Sequence, residues 1–258
     1  MRYEVLGHLR VSDGQRNATI GAKKAETLFA TLVSRPDQII ARTQLMDEIW
    51  GEQIPRRAAA GIHVYVSQIR KFLTRFRDSE APISTCSTGY SFHQCDDELD
   101  FQIFERLASL GNEHAKAQRY RQAIFYFEKA LDLWRGPVLN GITLGPILNG
   151  FSVWLTESRL DSTEALIDCN LKLGRHREVI GMLYSLTAEH HLREAFYRQL
   201  MLALYRSERQ ADALKVYQSA RRTLRDELGL EPGRTLRDLQ QAILSANCRL
   251  NDYEVVAG

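Results

Sequence analysis

The sequence has no run of apolar residues long enough to span a bilayer, and its opening Met-Arg-Tyr-Glu-Val lacks the apolar core of a secretory leader. The chain is therefore expected to be neither exported nor membrane-spanning, and to work in the cytoplasm. Cysteine is scarce. The four present (Cys86, Cys95, Cys169 and Cys248) form no Cys-x-x-Cys pair, so reduced thiols are expected rather than a disulfide framework. Catalytic signatures are missing as well: there is no Gly-x-x-x-x-Gly-Lys-[Ser/Thr], no Gly-x-Ser-x-Gly and no His-Glu-x-x-His. His190-His191 suggests a metal site, but no Cys, Asp or His joins it at ligand spacing. Neither an enzyme nor a cofactor is expected.

What is present is charge, unevenly spread. The net charge is only +2, yet residues 1–95 hold 13 Lys and Arg against 9 Asp and Glu, and the remainder holds 21 against 23. The stretch from Gln53 to Arg77 carries Arg56, Arg57, Arg70, Lys71, Arg75 and Arg77 before its first acid, Asp78. A local cationic run in a near-neutral chain points to a polyanion. A length of 258 residues, 44% of them hydrophobic, suits two domains with real cores.

The hydrophobic period changes along the first 95 residues. Tyr3, Val5, Leu9, Val11 and Ile20, parted by Gly7, Asp13-Gly14 and Asn17, predict two or three short antiparallel strands. Ala25, Leu28, Phe29, Leu32 and Val33 follow at helical spacing until Pro36. Gln38-Ile39-Ile40 reads as a strand. Thr43 is placed to cap a second helix with Leu45, Met46, Ile49 and Trp50 inward and Gly51 at its end. A third helix is expected from about Pro55, in its first turn, to Arg75, with Ala59, Ile62, Val66, Ile69 and Leu73 as its core stripe. Pro82 to Gln94 reads as a hairpin with its turn near Ser87-Thr88-Gly89. Strands, helix, strand, two helices and a hairpin make an α+β winged helix-turn-helix over residues 1–95.

Residues 96–258 read as all-α, helical from Glu98 to about Asn247 with one break between Gly136 and Gly150. Leu173-Gly174-Arg175 recurs as Ser207-Glu208-Arg209, Ile180 as Leu214 and Leu183 as Tyr217, a spacing of 34 residues, and Arg119 to Leu131 is a more distant copy. That period is tetratricopeptide-like, and such hairpins must stack to bury their apolar faces. Trp50, Trp134 and Trp154 are expected in cores.

With Ile62 centred on the buried face of the third helix, Arg57, Ala60, Val64, Ser67 and Lys71 point outward. Arg56 and His63 flank them, and Gln68 lies on the other side. A helix fits the major groove, and small residues let it approach closely. Thr88, with Ser87 at the hairpin tip, suits phosphate contact. So do Lys23 and Lys24 before the first helix, and Thr43 at a helix start. Read without a partner, the same residues make a solvated helix face, an ordinary turn and an ordinary cap. The placement before a hairpin favours double-stranded DNA.

Further residues carry a resemblance over nearly the whole chain. They are Tyr3-Glu4-Val5-Leu6-Gly7, Glu48-Ile49-Trp50-Gly51, Val64 to Lys71 and Ser87-Thr88-Gly89-Tyr90, then Leu133-Trp134-Arg135-Gly136-Pro137, Leu173-Gly174-Arg175-His176, Leu192-Arg193-Glu194, Leu200 to Arg206 and Glu227 to Gly233. In these the sequence resembles the Streptomyces antibiotic regulatory proteins, pathway-specific activators of secondary metabolism. The resemblance implies an OmpR-like DNA-binding domain followed by a bacterial transcriptional activation domain. It implies binding to tandem direct repeats beside a −35 region, side-by-side pairing on DNA, and contact with RNA polymerase and its principal sigma factor. It also implies a small member of the family without the ATPase and sensor regions of the large ones. With no receiver domain ahead of the winged domain, phosphorylation control is not expected. Gln68 stands where many relatives carry arginine, so the base preference is expected to differ. The Gly136–Gly150 loop is less alanine-rich than is usual. A promoter-blocking repressor and a peptide-binding adaptor are the competing readings. The cationic third helix, free of acids, argues against the adaptor.

Overall fold

The computed structural model describes residues 1–76 and 81–245. Arg77, Asp78 and Cys248 lie outside the described residues, as does the expected helix end near Asn247. The chain divides into two compact units. One takes Met1–Leu110 with Tyr126–Ser162, and the other takes Gly111–Phe125 with the chain from Thr163 onward.

In the first unit β1 (Arg2–Glu4), β2 (Arg10–Ser12) and β3 (Asn17–Ala18) form the expected antiparallel run. β7 (Glu98–Leu99) joins it in parallel with β1, giving the order β3-β2-β1-β7. The expected helix start at Glu98 is thus corrected: these two residues pair with Arg2 and Tyr3, and α4 (Asp100–Lys116) begins after them. A second sheet, ordered β4-β6-β5, combines β4 (Ile39–Ala41) with the hairpin β5 (Ile83–Thr85) and β6 (Gly89–Phe92). Gly89 is required there by close approach, since a Cβ would lie 1.9 Å from the carbonyl oxygen of Ile40.

Three helices pack on these sheets: α1 (Lys23–Ser34), α2 (Arg42–Trp50) and α3 (Ala58–Leu73). Their core is aromatic at its centre. Tyr3 meets Phe92 edge-on at 4.9 Å and Phe29 at 5.8 Å, a geometry that adds to plain area burial. Two helix starts differ from expectation. Arg42 is already helical, so Thr43 is the second residue of α2 and not its cap; instead the Gln44 side chain accepts the Ala41 N–H at 3.1 Å. Ala58 N–H donates to Pro55 O at 2.9 Å in a tight turn, and the first α-type bond runs from Gly61 N–H to Arg57 O. Pro55, Arg56 and Arg57 therefore precede α3, with Arg57 as its N-cap, and Ala58 rather than Ala59 starts the buried stripe.

The first unit continues through the end of α5 (Tyr120–Leu131) and the start of α6 (Pro146–Lys172). Between them the Asp132–Gly145 segment lies along the β1–β2 connection. Arg135 N–H donates to Leu6 O at 2.8 Å, Leu139 N–H to Val5 O at 3.0 Å and Asn140 N–H to Gly7 O at 3.1 Å. Two buried carboxylates complete the join. Asp100 accepts the Val5 N–H at 2.9 Å and the Leu6 N–H at 3.0 Å, with Arg135 Nη2 3.6 Å away. Burial pushes the Asp100 carboxyl upward, and those N–H bonds and the Arg135 charge oppose the shift. Glu48, on α2, accepts the Ile147 and Leu148 N–H groups at 2.8 and 3.0 Å. It thereby caps α6, satisfying N–H groups that a helix start leaves open. The tryptophans depart from expectation: Trp50 and Trp134 are only partly buried, Trp134 lies past the end of α5, and Trp154 is exposed, because Phe101 and Phe151 cover only part of its ring.

The second unit is built from α7 (His176–Glu189), α8 (Glu194–Arg206), α9 (Gln210–Leu228) and α10 (Arg234–Leu244), with the neighbouring parts of α4, α5 and α6. One hairpin turn occurs three times. Gln118, Gly174 and Glu208 each adopt a left-handed conformation, at φ 56°, 78° and 65°. The following arginine closes the turn each time, with Arg119 bonding to His114 O at 2.9 Å, Arg175 to Asn170 O at 3.0 Å and Arg209 to Leu204 O at 2.9 Å. This is the structural form of the 34-residue repeat. Two separated motifs also meet: Gly233 N–H donates to the Glu194 carboxylate at 2.8 Å beside the Arg221–Glu231 ion pair.

Candidate nucleic-acid interface

α3 turns one stripe to the core and the opposite one outward. Ile62, Val66, Ile69 and Leu73 are buried, whereas His63, Val64, Ser67, Gln68 and Lys71 are exposed. Positions 63, 67 and 71 and positions 64 and 68 are four apart, so all five share one face. Ala59 and Ala60 extend that face toward the helix start without bulk. The face carries one fixed positive charge, Lys71, and one half-exposed apolar side chain, Val64.

The remaining candidates surround it. Arg56 and Arg57 are exposed in the segment entering α3, a position off the helix face on which Arg57 was expected. Thr88 and Ser87 are exposed at the tip of the hairpin. The hairpin tip is tied to the start of α2, because Arg42 N–H donates to Thr88 O at 3.1 Å; exposed Thr43 is the next residue. Lys23 and Lys24 open α1 and are exposed, and the Lys24 ammonium lies 5.1 Å from the centre of the Trp50 ring. That ring also faces Tyr65 at 6.1 Å. The end of α2, the start of α1 and the middle of α3 are thus joined through one indole.

Sequence reading counted Arg70 only for its charge. Its Nε and Nη2 donate to Ile83 O at 3.1 and 2.8 Å, and Nη2 also reaches Thr85 Oγ1 at 2.9 Å. Arg70 therefore binds α3 to strand β5. Tyr90 was missed as well: its hydroxyl lies 2.7 Å from His63 Nδ1. Position 70 falls between the buried and exposed stripes of α3, which is the sequence signal that it belongs to neither.

A hairpin-flanked helix with an open polar face, mounted on two small sheets, defines a transcriptional regulator of the winged-helix class. Comparisons with known proteins agree. Residues 17–92 match the family described as transcriptional regulatory protein, C terminal, and residues 99–244 match the bacterial transcriptional activator domain. The chain is 40% identical over 96% of its length to the regulatory protein AfsR of Streptomyces coelicolor, and spans 24% of that relative. It is 34% identical to the regulatory protein DnrI of Streptomyces peucetius, covering 96% of this chain and 93% of the relative. Among solved structures, Mycobacterium tuberculosis EmbR in complex with a low-affinity phosphopeptide superposes with a TM-score of 0.89 at 33% identity, over 95% of this chain and 65% of that one. The chain belongs to the Streptomyces antibiotic regulatory protein family, whose members are transcriptional regulators. Among the described residues no helix is long and apolar enough to cross a membrane.

Proposed function

We propose that this chain is a cytoplasmic, sequence-specific activator of a secondary-metabolite gene cluster, without enzymatic activity of its own. The observation that carries the reading is the outward face of α3, where five side chains of complementary kinds stand clear of the core. Gln68 is suited to the paired donor and acceptor of an adenine edge, Val64 to a thymine methyl, and Ser67 to either a donor or an acceptor. Lys71, Arg56, Arg57, Lys23 and Lys24 are suited to phosphates, together with the hydroxyls of Thr43 and Thr88. Membership of the family supports tandem direct repeats near a −35 region as the target. It also supports side-by-side pairing of two copies, and RNA polymerase with its principal sigma factor as the protein partner. The repeat unit supplies the stacked surface that protein partners use.

The test is a gel-shift series on duplexes selected by the protein from a random pool. Lys71→Ala should weaken binding to all sequences alike and lower the salt slope by about 0.9. Gln68→Ala should relax discrimination at one base pair, by roughly 1–3 kcal/mol. Unchanged affinity, salt slope and selectivity in both variants would remove α3 from the interface.

A further inference from the structure

The pairing of His63 with Tyr90 assigns a direction to one hydrogen bond on the face of α3. Tyr90 lies on β6 and is 1% exposed, whereas His63 is open to solvent. The phenol oxygen and His63 Nδ1 are 2.7 Å apart, with the two rings edge-on at 6.1 Å. Among the described residues the hydrogen-bond partner of that hydroxyl is the imidazole. A buried O–H must donate or lose the free energy of its hydration. Were Nδ1 to carry the proton and donate to the phenol oxygen, the phenol's own proton would have no acceptor. The phenol therefore donates, Nδ1 accepts, and the imidazole proton resides on Nε2. Nε2 is the ring nitrogen that does not meet the tyrosine hydroxyl, on a side chain that is exposed.

The mounting is firm at a second point. Arg70 lies seven residues further along α3, and its guanidinium grips Ile83 O and Thr85 Oγ1 of β5. β5 pairs with β6, with Thr85 opposite Tyr90. The strand that carries the tyrosine hydroxyl is thus held against α3 from its neighbour.

We infer that His63 is a DNA-contacting residue, held by Tyr90 as a one-directional Nε2–H donor to a hydrogen-bond acceptor of duplex DNA, with Tyr90 as its positioning residue. The inference rests on α3 facing DNA. The acceptor chemistry is shared by purine N7 or guanine O6 in the major groove and by a backbone phosphate oxygen. A pre-set donor has less orientational freedom to lose on binding than a freely turning one. It also rejects a donor, such as the adenine amino group, at the same place.

The experiment has two parts, and they fail separately. In the free protein, nitrogen-15 imidazole spectra of His63 should show the Nε2–H tautomer, and Tyr90→Phe should convert it to a mixture. A dominant Nδ1–H tautomer in the wild type overturns the inference whatever the DNA does. On a duplex selected by the wild-type protein, His63→Ala should weaken binding roughly 3- to 10-fold, the worth of one net hydrogen bond. Tyr90→Phe should cost less, and nothing further in the His63→Ala background. His63→Gln, whose amide nitrogen reaches toward the same point, should retain part of the affinity. An equal loss from Tyr90→Phe with and without His63 makes the tyrosine merely structural and overturns the positioning role. Replacing single purines by 7-deazapurines, or single phosphates by methylphosphonates, identifies the acceptor. One such substitution should abolish the difference between wild type and His63→Ala. If none does, His63 contacts no acceptor and the inference falls. Should the wild-type protein select no duplex at all, it is the DNA-binding reading that fails; the inference falls with it, although the spectra still decide the tautomer.

Discussion

In the first unit, the carboxylates of Asp100 and Glu48 reach backbone N–H groups 95 and 99 residues away along the chain. In the second, the same hairpin turn closes three times through bonds only five residues apart. Both arrangements satisfy backbone groups that a fold must not leave bare. They differ in range. The repeat unit is assembled from local pieces that each specify themselves, so its stability is a sum of similar parts. The winged unit depends on a few distant, charged, buried contacts, and losing one leaves a desolvated group without its partner.

The largest expected effect comes from cutting the distant contacts together. A fragment of residues 1–95 keeps α1 to α3 and both faces of the hairpin, but loses β7, Asp100 and the Asp132–Gly145 segment. It also exposes core side chains that Leu99, Phe104, Leu139 and Leu148 cover, each worth about 1.5–3 kcal/mol of burial. The fragment should unfold in urea many kcal/mol below the whole chain, or show no cooperative transition. An unchanged midpoint would break the comparison, and residues 1–95 would then fold without the later segments.

A single side chain sharpens the point. Glu48→Ala leaves the Ile147 and Leu148 N–H groups at the start of α6 without an acceptor. The expected loss is about 2–4 kcal/mol in urea unfolding, since each orphaned group costs about 1–3 kcal/mol and water recovers part of it. Glu48→Gln keeps one carbonyl oxygen and should lose less. A neutral Glu48→Ala would mean that the cap contributes nothing to holding this unit together.

The same contrast of range explains what could be read from the sequence. Period, turn residues and repeat spacing are local signals, so the element order, the wing and the tetratricopeptide-like turns were legible. So were His63, Val64, Ser67, Gln68 and Lys71 as one open face, because a helix fixes their angles. Arg57 was misplaced because Pro55 is compatible both with a first helical turn and with the tight turn that precedes α3. Thr43 was misplaced because a good capping residue one position inside the helix has the same neighbours in sequence. Glu48, Asp100 and Tyr90 carried no local sign of their roles, and Arg70 only its place between two stripes, as each finds its partner through the tertiary fold. Glu48 and Asp100 look in sequence like ordinary surface acids.

The smallest expected effect tests whether the repeat unit is as local as its geometry implies. Gln118, Gly174 and Glu208 hold equivalent left-handed positions, but only one of them is glycine. A side chain there crowds the backbone and costs about 1 kcal/mol, whereas glycine adopts the conformation freely. Glycine also adds freedom to the unfolded chain, which offsets part of the gain. No heavy atom lies within 4 Å of a Cβ built on Gly174, so packing does not decide the matter at that turn. Glu208→Gly should therefore stabilise the protein by about 0.5 kcal/mol, with Gln118→Gly similar, while Gly174→Ala should destabilise it by about 1 kcal/mol. Thermal midpoints should move by about 1–4 °C in the corresponding directions. Because the three turns close separately, Glu208→Gly and Gln118→Gly should add when combined. A destabilising Glu208→Gly would show that this turn is held by the glutamate side chain rather than by its backbone. The second unit would then share the dependence on particular side chains that marks the first.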